Sequence, residues 1–174
     1  MSEKSWFLFS NALSPIRVGQ LGFTAANQDR PMTAIRQATP GDNERICALL
    51  AAAGLPTADL PVPSVELWVA EEADGIVGVV GVQHFGQAGL LRSLVVDTAH
   101  RGSGLGAILL GHAQNQARAT GLRELFLLTE TAAVFFTAHG YRAVARDLAP
   151  ADVLGSSQFR LLCPASAVCM TMTL

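Results

Sequence analysis

The stretch Leu94-Val95-Val96-Asp97-Thr98-Ala99-His100-Arg101-Gly102-Ser103-Gly104-Leu105-Gly106 constrains this chain more than any other. An apolar strand end feeds a short loop, and an arginine followed by three alternating glycines opens a helix. Glycines tolerate positive φ and let a ligand approach the backbone closely. The first turn of a helix offers unpaired N–H groups and the positive end of the dipole, which together cradle a phosphate. A glycine-rich helix start made only for close packing is the plainer alternative. Gly102-x-Gly104-x-x-Ala107 also matches a loose dinucleotide fingerprint, with Glu124 near the position of a ribose-binding acid. Against that reading, Asp97 to Arg101 separate the glycines from the strand, and Glu124 begins a strand rather than ending one. A P-loop is excluded, because there is no GxxxxGK[ST] and the single lysine is Lys4.

The elements around this stretch read as one layered domain. Thr33 to Gln37 is a short strand. Thr39-Pro40-Gly41-Asp42 supplies a cap and a first-turn proline, and Ile46, Leu49, Leu50 and Ala53 recur at helical spacing up to Gly54. Pro56, Pro61 and Pro63 mark a loop. Glu66–Glu72 and Ile76–Val82 form a hairpin about Asp74-Gly75, and Ala88–Val96 is a third strand. Leu105, Ile108, Leu109, Ala113 and Ala117 make the apolar stripe of a helix over 104–120. A strand at Glu124–Thr129, a helix at Ala132–His139 and strands at Tyr141–Ala145 and Ala167–Thr173 complete the pattern, with Pro150–Gln158 helical or irregular. This mixed order predicts a single α/β (α+β) domain over 32–174. Residues 1–31 lack a sustained period and read as an N-terminal extension, either a docked arm or a tail.

Composition excludes several functions. At 174 residues with 15% charged side chains and a formal net charge of −2, no polyanion-binding surface is announced, so nucleic acid is not an expected partner. The mean hydropathy of +0.34 reflects alanine and glycine. The longest uncharged run, Gly75–Leu91, carries five glycines with Gln83, His84 and Gln87, unlike a bilayer helix, and no membrane association is expected. Three cysteines, Cys47, Cys163 and Cys169, form neither a CxxC nor an even set. They read as buried small hydrophobes with no metal site, although a thiol–arsenic role is the competing idea. The apolar burst Trp6–Phe9 is too short for a signal peptide, and a cytoplasmic location is expected.

Arg101, Gly104 and Gly106 resemble the Arg/Gln-x-x-Gly-x-Gly/Ala acetyl-CoA-binding motif of the GCN5-related N-acetyltransferase (GNAT) superfamily. Ala132-x-x-Phe135-Phe136-x-x-x-Gly140-Tyr141 resembles the A-x-x-F-Y-x-x-x-G-F segment that closes the family's cofactor cleft. The likeness covers residues 33–173. Leu91-Arg92-Ser93-Leu94, Leu128-Thr129 before Thr131-Ala132-Ala133, and Gln158-Phe159-x-x-Leu162-Cys163-Pro164-Ala165-Ser166-Ala167 are similar to a subgroup found in arsenic-resistance operons.

The resemblance implies a GNAT fold, with a central mixed, mostly antiparallel sheet of six or seven strands flanked by helices on both faces. It implies acetyl-CoA as co-substrate without a metal, and a homodimer, as in many relatives. Leu94, Val95 and Val96 would pair with the pantetheine arm, and Arg101, Gly102, Ser103, Gly104, Leu105 and Gly106 would hold the pyrophosphate. The backbone of Val95 would polarise the thioester carbonyl, with Phe135 and Phe136 flanking the thiol end.

Three positions depart from the family pattern. Phe136 stands where a tyrosine often serves as general acid, Thr129 replaces a frequent asparagine, and Ala88–Val96 holds no glutamate to act as base. A thiolate leaves at pH 7 for about 2 kcal/mol, and an α-amine deprotonates for about 1 kcal/mol against about 4.6 for a lysine ε-amine. The missing acid and base therefore suit a small α-amino acceptor, with an arsenic- or phosphinate-bearing amino-acid analogue as the finer expectation. An ordinary amino-acid or amine acetyltransferase, and a non-catalytic acetyl-CoA or metalloid sensor, are the alternatives.

Arg92, Thr129 and Glu130 are the candidate acceptor contacts. Arg92 reads either as an anion clamp or as a strand arginine reaching solvent, Glu124 or Glu130. Glu130 reads as the candidate catalytic base or as a solvated loop carboxylate. His84, His100, His112 and His139 read as structural or surface residues.

Overall fold

The structure is a computed structural model describing residues 33–60 and 64–174. The extension over 1–31, with its Trp6–Phe9 segment, and the loop prolines Pro61 and Pro63 lie outside the described residues. Seven strands form one sheet, β1 (Ala34–Gln37), β2 (Val65–Glu72), β3 (Gly75–Phe85), β4 (Ala88–Val96), β5 (Glu124–Thr129), β6 (Arg142–Ala143) and β7 (Val168–Thr173). Their order across the sheet is β1-β2-β3-β4-β5-β7-β6, and β4–β5 is the parallel pair in an otherwise antiparallel set. This is the expected mixed, mostly antiparallel sheet.

Helices cover both faces. Helix α1 (Asn43–Ala52) buries Ile46, Leu49 and Leu50 against Val69, Val79 and Val95. On the opposite face, α2 (Leu105–Ala119) lays Leu105, Leu109, Ala113 and Ala117 of its predicted stripe, with Leu110 added, on Val80, Val82 and Leu91. Ile108, also expected in the stripe, faces out and is exposed because Leu110 takes the buried side instead. Alternation along the strands assigns adjacent residues such as Val79 and Val80 to different cores. Helix α3 (Ala133–Ala138) shares the α2 face through Phe136, and the single-turn α4 (Ala151–Leu154) packs Val153 on the α1 face. No helix among the described residues is long and apolar enough to cross a membrane.

The strand expected at Tyr141–Ala145 shrinks to Arg142–Ala143, because the chain turns into a 3-10 segment at Arg146–Leu148. The region expected to be helical or irregular resolves into α4 followed by a π-helical turn at Gln158–Leu162.

Two irregularities position the site. Strands β4 and β5 pair only at Ala88–Leu90 with Glu124–Phe126, and beyond Leu90 they part. On its other edge β4 carries a bulge against β3, where Gly81 faces Arg92 and Val79 faces Val95. Ser93 sits in that bulge at φ 57°, a left-handed conformation uncommon for a residue with a Cβ. Ser93→Gly should keep or slightly raise stability. Ser93→Val, β-branched at positive φ, should lose about 1–2 kcal/mol by denaturant unfolding, and equal stability of the two variants would contradict the strain assigned to this bulge.

Candidate functional site

Where β4 and β5 separate, a cleft of about 610 Å³ opens through the sheet. Its walls are Leu91–Val96 from β4, 127–132 from the end of β5, Phe135 and Phe136 from α3, and the loop that follows α1. Arg92, Leu94, Val95, Val96, Arg101, Gly106, Thr129, Glu130, Phe135 and Phe136 are all brought to this one cavity. Gly102, Ser103, Gly104 and Leu105 form the turn beside it rather than its lining.

The turn is held at both ends. Asp97 donates its N–H to the Val77 carbonyl at 2.8 Å, and its carboxylate accepts from the Ala99 N–H at 3.1 Å and from Arg45 at 3.0 Å. These contacts hold the Asp97 carboxyl below the usual range, the Ala99 N–H being the main cause. Arg101 folds back so that its Nε–H donates to the Val96 carbonyl at 3.1 Å, fixing its guanidinium at the cleft mouth. Ser103 donates to the His100 carbonyl at 2.7 Å. Gly104 caps α2 at φ 87°, where a side chain would be strained. The outcome is an exposed turn whose backbone leads directly into the dipole-positive start of a fifteen-residue helix.

At the opposite end of the cleft lies Arg92. It neither reaches solvent nor pairs with Glu124 or Glu130, as its structural reading anticipated; both terminal nitrogens contact Asp59 at 2.6 Å. Asp59 comes from the loop after α1, thirty-three residues upstream, and nothing local in the sequence pairs the two. The side chains are 3% and 13% exposed. Burial pushes the Asp59 pKa up, but the hydrogen bonds and charge of Arg92 prevail and hold it below its ordinary value. Gln158, in the π-helical turn, reaches toward Asp59 at 3.5 Å and accepts from the Cys163 thiol at 3.1 Å. Cys163 is thus a half-buried cleft residue with a pKa raised by burial, not the fully buried filler expected, whereas Cys169 is buried as anticipated.

Thr129 is buried and its hydroxyl accepts from the Ala132 N–H at 3.0 Å, setting the entry to α3. Glu130 is exposed at the cleft. Phe135 packs on the turn, its ring 3.8 Å from where a Cβ on Gly106 would stand. Phe136 meets Phe135 and Tyr141 edge-on at 5.2 and 5.5 Å. The phenol of Tyr141 is buried beside the Gln114 side chain, and burial, opposed by Gln114, pushes its pKa to about 12.

No histidine lines the cavity. His84 faces Glu66 at 3.6 Å, His100 faces Glu72 at 3.4 Å, His112 packs on Trp68, and His139 stacks on Phe135. Among the described residues no three His, Cys, Asp or Glu side chains group as a metal site.

Residues 63–143 match the model of the family described as Acetyltransferase (GNAT) domain. No curated protein matches the sequence. Solved structures do. N-acetylglutamate synthase from Neisseria gonorrhoeae, complexed with coenzyme A and N-acetyl-glutamate, aligns at 21% identity and TM-score 0.70 over 83% of this chain and 36% of that one. The chain thus spans about a third of that enzyme's length. A Mycobacterium tuberculosis protein in complex with CoA aligns at 22% identity and TM-score 0.65, over 81% of this chain and 99% of the other. A provisionally assigned acyl-CoA N-acyltransferase from Klebsiella pneumoniae aligns at 26% identity and TM-score 0.65, over 82% and 98%.

Two substitutions test the site as built. Gly104→Val should lose about 1–2 kcal/mol in denaturant unfolding while α2 survives in circular dichroism, because the left-handed cap at φ 87° is strained by a β-branched side chain. Tyr141→Phe should change stability by no more than about 1 kcal/mol in denaturant unfolding, since the buried hydroxyl has only a weak contact with Gln114 to lose; a larger loss would show a strong hydrogen bond there.

Proposed function

We propose that this chain, which carries an acetyltransferase (GNAT) domain, uses residues 32–174 to transfer an acetyl group from acetyl-CoA to the amine of a small amino-acid-like acceptor. The observation that carries the reading is the parting of β4 and β5 beside the Arg101–Gly106 turn. An open strand edge next to a glycine-rich helix start suits a long ligand with amide groups along its arm and a pyrophosphate at its end.

The residues fit that ligand. The backbone of Leu94, Val95 and Val96 lies on the cleft side that β5 leaves unpaired. Gly102 and Gly104 adopt positive φ and a Cβ on either would meet nothing, so a phosphate can approach the turn closely. Arg101 adds a cation at the mouth. Bound acetyl-CoA supplies an activated thioester. The chain's part is to hold it, to donate a cleft-facing strand-end N–H toward its carbonyl oxygen, and to bring the acceptor amine in from the Arg92 and Glu130 side. That N–H belongs to Val96 rather than to the expected Val95, because the Asp97 N–H bonds the Val77 carbonyl and Val95, two residues earlier, turns its own N–H to β3 as well. Glu130, exposed at the cleft, takes the amine proton directly or through water.

The acceptor class follows from what the cleft lacks. Phe136 occupies the family's usual acid position, and the single tyrosine has a buried phenol with a pKa pushed to about 12. The leaving thiolate therefore departs without a side-chain acid, which costs about 2 kcal/mol at pH 7. An α-amine of pKa about 8, as at a chain end or beside an amidated carboxyl, adds about 1 kcal/mol where a lysine adds about 4.6; the amine of a free amino acid, raised by its own carboxylate, lies between the two. Amino-acid analogues bearing an arsenic or phosphinate group are the detoxification substrates this reading favours, with ordinary amino acids the broader set. The unpaired thiols of the described residues suit a reducing cytoplasm.

Thiol release in the presence of acetyl-CoA tests the proposal. Small α-amino compounds should be acetylated, and lysine peptides should be slower by two orders of magnitude or more, as about 3.6 kcal/mol requires. Robust transfer to lysine peptides alone would overturn it. A sensor, the alternative that Phe136 encourages, would bind acetyl-CoA and release no thiol with any amine. The pH profile is a second check: kcat/KM should rise to a plateau near the acceptor's own pKa. A descending limb below pH 9.5 that vanishes in Tyr141→Phe would contradict the absence of a phenolic acid.

A further inference from the structure

The acceptor end of the cleft holds a buried ion pair that the transfer chemistry does not use. Arg92 lines the main cleft and a side cavity of about 70 Å³ that also reaches Gln158 and Cys163. A guanidinium free in such a wall would be a strong anchor for a carboxylate or phosphinate, because its two terminal nitrogens form a planar fork that matches two oxygens. Here that fork is already filled. Both nitrogens contact the Asp59 oxygens at 2.6 Å, and both side chains are almost fully buried. The remaining Nε–H is buried with no acceptor among the described residues. Gln158 lies 3.5 Å from the outer side of Asp59, so the carboxylate is held from a second element and does not swing freely into solvent.

Charge then decides selectivity. Arg92 and Asp59 together present a dipole rather than a net charge, and a dipole's field falls off faster with distance than that of a lone cation. Of the other charged groups at the cleft, Arg101 is tied to the Val96 carbonyl at the far mouth, and Glu130 is exposed and of the opposite sign. Arg146, behind Cys163, donates to the Phe159 and Pro164 carbonyls.

We infer that Asp59 is the residue that sets the charge preference of the acceptor: by filling the fork of Arg92 it keeps the acceptor pocket near neutrality, so a carboxylate gains little over its uncharged carboxamide. Asp59 is a specificity-determining residue acting through Arg92. The inference rests on the acetyl-transfer reading for the identity of the acceptor end.

The test is calorimetry on the coenzyme A-saturated protein with a panel of α-amino acids, each paired with its α-carboxamide. In the wild type the ratio of the two Kd values should stay within about fivefold. Asp59→Asn should move it at least tenfold toward the carboxylate, and Asp59→Glu should leave it unchanged. Because Asp59→Asn leaves a buried cation unpaired and costs stability, a second variant carries the same test without that cost. The near-isosteric double variant, Arg92→Met with Asp59→Leu, removes both charges, and its ratio should lie within about threefold of wild type. An unchanged ratio in Asp59→Asn, a wild-type ratio above tenfold that the double variant abolishes, or no binding by any pair would each overturn the inference. Thiol release from acetyl-CoA, measured on the same proteins in separate samples free of coenzyme A, reports on acetyl transfer, so its absence with every amine removes that reading whatever the Kd ratios show.

Discussion

Strands β4 and β5 stop hydrogen bonding after Leu90, and almost everything of functional interest follows from that separation. A parallel pair that continued to the strand ends would bury its backbone groups in a ladder and leave no room between them. By parting, the two strands keep their outer neighbours, β3 and β7, and expose inner edges to a shared cavity. The bulge at Ser93 accompanies the change. An extra residue in β4 sharpens the strand's bend and local twist, and it returns Val95 to the α1 core while Leu94 and Val96 pack toward α2. The cleft is therefore stable because it interrupts only one of the six strand pairings, with an intact core on either side.

The same geometry divides labour between the two ends. One end is made of backbone: a glycine-rich turn, a helix start and an arginine tied to the last strand carbonyl. On the acetyl-transfer proposal such a site would take phosphate and amide groups, and it tolerates little side-chain variation because a Cβ at Gly102 or Gly104 would be strained. The other end is made of side chains from three separate segments, Asp59, Arg92 and the Gln158–Cys163 turn. A buried ion pair of this kind is weak evidence for stability, since desolvation offsets much of its Coulombic gain. Its value lies in fixing where one guanidinium points and how much charge it offers.

The legibility of the chain follows the same division. The strand Glu124–Thr129 and the stripe of α2 were readable because alternation and 3.6-residue spacing are local signals. The turn was readable because its chemistry depends on glycine at fixed offsets. The short β6 and the π-helical turn were not, because tertiary hydrogen bonds, such as those of Arg146 to the Phe159 and Pro164 carbonyls, decide where that chain bends. Asp59 gave no signal at all. It sits in a proline-bounded loop that looks like a solvated connection until Arg92 is brought over it. Cys163 read as an apolar residue by its neighbours in sequence, yet its neighbours in space are a glutamine and an open cavity.

The sequence by itself determined the sheet-and-helix order, the glycine-rich turn that opens α2 and the absence of a phenol at position 136. Each depends on residue type or on spacing within one element. Only the tertiary structure decided that β4 and β5 part, that Tyr141 is buried behind Phe136, and that Arg92 is neutralised by Asp59. Those outcomes depend on which distant segments share one small volume. Burial and charge pairing act through distance in space, which a linear pattern does not encode.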